Sequence, residues 1–162
     1  MILADKLDQE INNQNIVLLR YNFKYGVKAA YYNAASVSNP VIAINSRVDI
    51  TYEMNGLKAH ELGHHHTCCM NLLGISPRLQ VKYETLAQRW AVNRTMPLDR
   101  LIEAYNSGAR SLQELTDHLE ISEEYILQGI ALYEGIYGPE TRYEEYTITW
   151  DPFNIQEDIQ IE

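Results

Sequence analysis

Five residues near the middle of the chain, His60-Glu61-Leu62-Gly63-His64, form an H-E-x-x-H motif. In a helix, positions i and i+4 lie about 40° apart around the axis and one turn along it, so both imidazoles can point at one metal ion. Glu61 is about 100° from His60, which directs its carboxylate toward a water molecule beside such an ion. The motif therefore predicts a metal site with His60 and His64 as ligands and Glu61 as the catalytic carboxylate.

A catalytic zinc site usually takes three protein ligands and leaves one position for water. The candidate for the third ligand is Glu84, because the 19 residues between it and His64 leave room for a turn and the start of a second helix. Ala87 and Ala91 follow at i+3 and i+7, and such small residues let two helices approach closely. Gly63 also indicates a close approach, since glycine inside a helix costs about 1 kcal/mol relative to alanine.

Cys68 is a competing ligand, because it lies at i+4 from His64 and thiolates bind zinc well. A metal midway between His60 and His64 would lie about 9 Å along the helix axis from Cys68, beyond the reach of a short side chain. We therefore expect Cys68 to be a buried core residue.

The remaining histidines also need an interpretation. His65 and His66, together with Cys69, point around the helix away from the predicted ligands, which favours a packed helix flank and leaves metal-supporting or substrate contacts as an alternative. Both histidines, with Tyr83, are also candidates for stabilising a tetrahedral oxyanion. His118 lies in an acidic segment remote in sequence, and we expect it to be structural.

The elements that must position these residues can be read from hydrophobic spacing. The pattern predicts an N-terminal helix, three short strands forming a small antiparallel sheet, and then a run of helices. The predicted strands cover residues 16–20, 27–32 and 41–45, and the predicted helices cover residues 2–13, 57–73, 83–95, 97–108, 111–119 and 122–133. From Pro139 onward the sequence is aromatic and acidic, and the alternation of Tyr146, Ile148 and Trp150 fits either a strand or an extended tail. The predicted fold class is α+β.

Length and composition set the outer limits of function. A chain of 162 residues with 46% apolar residues fits one globular domain with its own core. Its longest apolar runs reach four residues, against the roughly 20 that a membrane-spanning helix needs. Acidic residues within the first ten positions interrupt any secretory signal. Two adjacent cysteines favour reduced thiols, and we expect a cytoplasmic protein without membrane contact.

The net charge of −9 is unevenly distributed. Residues 1–110 hold 12 Lys and Arg against 9 Asp and Glu, whereas residues 111–162 hold 1 against 13. Two short capped helices over residues 111–135 resemble a DNA-binding helix-turn-helix unit, but this segment has no cation to contact phosphate groups. We therefore expect no direct nucleic-acid binding and favour helical packing or protein recognition there.

Two separated motifs give the chain a resemblance to a known family. The segments are Ala59-His60-Glu61-Leu62-Gly63-His64-His65 and Lys82-Tyr83-Glu84-x-x-Ala87-x-x-Trp90-Ala91, followed by Met96-Pro97-Leu98 and preceded by the strand Val41-Ile42-Ala43-Ile44-Asn45. Together they resemble the ImmA/IrrE-type metallopeptidases, especially the small versions carried by phages and mobile elements. The resemblance covers roughly residues 5–135.

That resemblance implies a zincin-like metallopeptidase domain, which we place over residues 1–138 with a helical subregion at 97–138. The acidic aromatic tail at 139–162 lies outside the resemblance. It implies zinc held by His60, His64 and Glu84, with Glu61 as the catalytic carboxylate. The implied substrate is a helix-turn-helix repressor of a phage or prophage, which the enzyme cleaves or otherwise inactivates. The alternative is a non-catalytic metal-binding protein that sequesters such a repressor.

Overall fold

A computed structural model describes residues 2–68 and 75–158. The chain divides into two compact units, Met1–Thr95 and Met96–Glu162. The sequence predicted one domain over residues 1–138 with a helical subregion from 97, close to where the second unit begins. Within the described ranges, no helix is both long and apolar enough to cross a lipid bilayer.

The first unit contains three helices and a three-stranded sheet. Its elements in chain order are α1 (Leu3–Asn13), β1 (Val17–Tyr21), β2 (Ala29–Tyr32), β3 (Val41–Asn45), α2 (Thr51–Thr67) and α3 (Pro77–Thr95). Leu3, Leu7 and Ile11 recur at i, i+4 and i+8 of α1 and are all buried. They belong to the same core as Ile42 and Ile44 of the central strand.

The sheet is mixed, so the predicted antiparallel sheet is wrong for one of its two strand pairs. The strand order is β1-β3-β2, with β2 antiparallel to β3 and β1 parallel to β3. β1 pairs with β3, the third strand along the chain, and not with β2, which follows it directly. The hairpin between β2 and β3 fits a short loop, and β1 and β2 form the two edges of the sheet.

Helices α2 and α3 both begin about six residues before their predicted starts. α2 begins at Thr51 rather than Leu57, and α3 begins at Pro77, because proline has no N–H to satisfy and suits a first helical turn. α2 ends at Thr67, followed by Cys68 with extended backbone. The rest of that predicted helix, residues 69–73, lies outside the described residues.

The second unit begins with three helices that match their predicted positions to within a few residues. They are α4 (Leu98–Asn106), α5 (Leu112–Leu119) and α6 (Glu123–Tyr137). α5 begins at a capping box, in which the Ser111 hydroxyl accepts from the Glu114 N–H and the Glu114 side chain accepts from the Ser111 N–H. Ser122 caps α6 in the same way through the N–H of Tyr125.

The segment after Pro139 forms strands, so of the two alternatives the strand is the one observed. β4 (Glu140–Tyr143), β5 (Tyr146–Trp150) and β6 (Phe153–Glu157) make an antiparallel sheet in that order. The alternating residues Tyr146, Ile148 and Trp150 are buried, because one face of this sheet is covered. Trp150 packs against Tyr133 of α6, with ring centroids 5.1 Å apart.

Candidate metal centre

The centre is built where α2 and α3 pack against each other, and Gly63 is the point of closest approach. A Cβ atom at Gly63 would lie 2.3 Å from the carbonyl oxygen of Ala87, which is far inside van der Waals contact. Ala87 and Ala91 are completely buried. The expectation that Gly63 marks the close approach of another element is therefore confirmed, and the element is α3.

This approach brings together His60 and His64 of α2 and Glu84 of α3. The Nε2 atom of His60 lies 3.2 Å from Oε2 of Glu84, and the Nε2 atom of His64 lies 3.4 Å from Oε1 of the same carboxylate. One potential ligand atom from each residue lies within 4.8 Å of the other two. His64 is buried, whereas about half of the Glu84 side chain is exposed, so the group opens toward solvent on one side.

The three side chains fit a divalent cation in both chemistry and spacing. Two imidazoles and one carboxylate are a donor set that zinc takes in catalytic sites. Donor atoms about 2.0–2.1 Å from a tetrahedral zinc ion lie about 3.3–3.4 Å from one another. The histidine–carboxylate separations are 3.2 and 3.4 Å, and one potential ligand atom from each residue lies within 4.8 Å of the others. The group can therefore hold a metal ion.

Gln88, which sequence reasoning missed, strengthens this conclusion. Its Oε1 atom lies 2.9 Å from Nδ1 of His60, and an amide oxygen can only accept a hydrogen bond. This contact orients the imidazole ring of His60 with Nε2 directed at Glu84. The available signal was the position of Gln88 at i+4 from Glu84.

The electrostatics of the group favour a positive charge. Hydrogen bonds from His60 and His64 hold the pKa of Glu84 well below its usual range, so the carboxylate is ionised. Burial lowers the pKa of His60, but the hydrogen bond to Glu84 and the charge of Glu61 outweigh it, and the net pKa is raised. An environment that stabilises a proton on His60 also stabilises a bound cation in its place.

Glu61 is a buried carboxylate next to this group. Only 5% of the residue is exposed, and burial raises its pKa despite the opposing charges of His60 and His64. The backbone N–H of Tyr31, on the edge strand β2, donates a hydrogen bond to the Glu61 carboxylate. A carboxylate with a raised pKa is suited to accepting and returning a proton near neutral pH.

All four side chains line one cleft of about 770 Å³. Apart from His60, Glu61, His64 and Glu84, most of the lining residues are apolar or aromatic. Tyr31 lines the cleft as well, and its hydroxyl lies 2.9 Å from Nδ1 of His65. Hydrophobic spacing gave no signal for Tyr31, because its role depends on the β2 strand packing against α2.

The other sequence candidates lie in various places. Cys68 is buried, as expected, and also lines the cleft. His66 stacks on Trp90 and bonds to Glu10 at 3.1 Å, which is the predicted packed helix flank. His65 contacts the hydroxyl of Tyr31. The three oxyanion candidates, His65, His66 and Tyr83, are not among the residues that line the cleft. His118 lies on α5 of the second unit, and Cys69 lies outside the described residues.

The fold and the site define a class: an α+β protein with a His/His/Glu group that can hold a metal ion, beside a buried carboxylate. No protein-family model matches the sequence, and no curated protein matches it. The chemistry described above comes from the side chains of His60, Glu61, His64 and Glu84.

Proposed function

We propose that this protein is a zinc-dependent metallopeptidase, and that its substrate is a helix-turn-helix repressor of a phage or other mobile element. The observation that carries the enzymatic part is the placement of a buried carboxylate, Glu61, in the same cleft as the His60, His64 and Glu84 group. The resemblance to ImmA/IrrE-type metallopeptidases supports the choice of substrate.

In this proposal His60 and His64 of α2 and Glu84 of α3 hold the metal. When bound, zinc supplies a Lewis acid that polarises a carbonyl group and makes a neighbouring water molecule more acidic. Gln88 fixes the imidazole of His60 through Nδ1, so that Nε2 faces the centre. The open side next to Glu84 admits the polypeptide from solvent.

Glu61 is the proton carrier in this mechanism. Its carboxylate accepts a proton from the attacking water and passes it to the amide nitrogen as the peptide C–N bond breaks. Glu61 is then ionised again, as it was before the reaction. Glu61 suits this role because it is buried in the same cleft as His60, His64 and Glu84. The Tyr31 N–H holds the carboxylate in place.

The substitution Glu61→Gln tests the enzymatic role. Wild-type protein and the variant, each with one equivalent of zinc, are incubated with the repressor encoded next to its gene, and fragments are detected by mass spectrometry. We expect equal zinc content, and cleavage by the variant slowed by about 10²- to 10⁴-fold, because only the proton carrier is lost. A fully active Glu61→Gln protein contradicts the role of this carboxylate.

The same experiment separates the alternative function. A stable complex between wild-type protein and the repressor, without fragments, favours a non-catalytic protein that sequesters its partner.

Glu134→Gln is the matched control for Glu61→Gln, because Glu134 is an exposed glutamate of α6 in the second unit. It should cleave at the wild-type rate.

A further inference from the structure

The first unit has a sheet face that carries apolar side chains into the cleft. Paired residues in a sheet project to the same side, and side chains alternate between the two sides along each strand. The register of the three strands therefore places one set together, opposite the buried Ile42 and Ile44. The apolar and aromatic members of this set, called the outer sheet face, are Val17, Leu19, Tyr21, Ala30, Tyr32, Val41 and Ala43, and Asn45, paired with Tyr21, is its polar member.

The outer sheet face is exposed to an unusual degree for its composition. Tyr21 is 57% exposed, Val17 is 43% exposed and Tyr32 is 37% exposed, and Leu19, Val41 and Ala43 are only half-buried. Contiguous exposed apolar surface on a folded protein marks a site of interaction. This face is such a surface, and it spans all three strands of the sheet.

The outer sheet face is continuous with the candidate metal centre. Leu19, Tyr21, Val41 and Ala43 line the same cleft as Glu84 and the two histidines. Glu61 and Glu84 are the acidic residues of that lining, and among the described residues it includes no lysine or arginine. A polypeptide bound in this cleft therefore contacts an apolar surface and two carboxylates.

From this juxtaposition we infer that the outer sheet face binds bulky aliphatic or aromatic side chains of the polypeptide, close to the bond presented to the metal centre. The inference rests on the proposed function and specifies its substrate. Transfer of a leucine or phenylalanine side chain from water to such a surface tightens binding by on the order of 10- to 100-fold. An acidic side chain gains no such transfer free energy there.

Amino-acid hydroxamates test this selectivity without requiring turnover. The hydroxamate group chelates zinc, so the side chain is the only part that varies within the series. Calorimetry on zinc-loaded Glu61→Gln protein compares the hydroxamates of leucine, phenylalanine, alanine and aspartate. We expect leucine and phenylalanine to bind at least tenfold more tightly than alanine and than aspartate.

A double substitution locates the preference. Leu19→Asn with Val41→Thr makes the outer sheet face polar with little change in side-chain shape, and we expect it to reduce the preference for leucine over alanine to less than threefold. Val81→Thr is the matched control, because Val81 is 66% exposed on α3 and is not a cleft residue. Thermal unfolding of each variant shows whether the fold is retained.

The outcomes distinguish the two proposals. Equal binding of all four probes, or a leucine preference that persists in the folded double variant, overturns the role of the outer sheet face and leaves the metal centre intact. Failure of every hydroxamate to bind protein shown to contain zinc means that the metal has no open position. That result overturns the proposed hydrolase and the selectivity that rests on it.

Discussion

Helices α2 and α5 are built in opposite ways. α2 follows Ile50, which provides no side-chain cap, and it buries the ionisable residues Glu61 and His64. α5 begins at the complete capping box of Ser111 and Glu114. Burying a carboxylate and an imidazole costs free energy that capping and apolar packing would not. We therefore expect substitutions at the metal centre of α2 and α3 to change metal binding, and substitutions at the start of α5 to change stability alone.

Removing Glu84, the exposed candidate ligand, should have the largest effect on metal binding. Glu84→Ala should weaken zinc binding by more than 100-fold, because the loss of a ligand exceeds the 10- to 100-fold effect of removing a group behind one. Glu134→Ala in α6 removes an exposed glutamate of the second unit and should leave zinc affinity unchanged. Competition with a chromogenic chelator measures both. Equal zinc affinities would show that Glu84 is not a ligand.

Removal of the group that orients His60 should have a smaller effect. Gln88→Met keeps the approximate side-chain volume and deletes the acceptor for the His60 Nδ1–H. We expect zinc affinity to fall by about 10- to 100-fold. Gln113→Met, on α5, is the control, and the same chelator competition applies. A Gln88→Met protein with wild-type affinity would mean that His60 is oriented by packing alone.

Two glycine substitutions should change stability in opposite directions. Gly63→Ala places a Cβ atom 2.3 Å from the Ala87 carbonyl oxygen and should destabilise the protein by about 1–3 kcal/mol, even though alanine favours a helix. Gly135→Ala in α6 meets no atom within 4 Å and should stabilise by up to about 1 kcal/mol. Urea unfolding of the zinc-free proteins gives both values. A stabilising Gly63→Ala would contradict the close approach of α2 and α3.

The smallest expected effect concerns stability alone. Ser111→Ala removes the capping box of α5 and should lower the free energy of unfolding by about 1 kcal/mol, with zinc affinity unchanged. Ser107→Ala, at an exposed serine after α4, is the control for loss of a hydroxyl group. Urea unfolding and chelator competition on the same samples test both parts. A change in zinc affinity would mean that α5 is not independent of the metal centre.

The local parts of the centre were predictable because helix geometry relates residues close in sequence. The i, i+4 spacing of His60 and His64 implied that they share a helix face, and Gly63 with Ala87 implied a close helix pair. Those relations hold in the structure, where Glu84 of α3 joins the two histidines. The α+β class followed from the change of hydrophobic period along the chain, and so did the approximate positions of the helices.

The non-local parts were not predictable from spacing. The parallel pairing of β1 with β3 depends on which strand edges meet, and no short-range pattern encodes that choice. The contacts of Tyr31 with Glu61 and His65 require β2 to lie beside α2, so they too appear only in three dimensions. The outer sheet face likewise emerges only from the strand register.

The most direct test of the account is the location of the metal in a crystal of the zinc-loaded protein. Anomalous scattering at the zinc edge should give one strong peak, with Nε2 of His60, Nε2 of His64 and a carboxylate oxygen of Glu84 each about 2.0–2.2 Å away. A peak at another position, or none between these three side chains in protein shown to contain zinc, would contradict it.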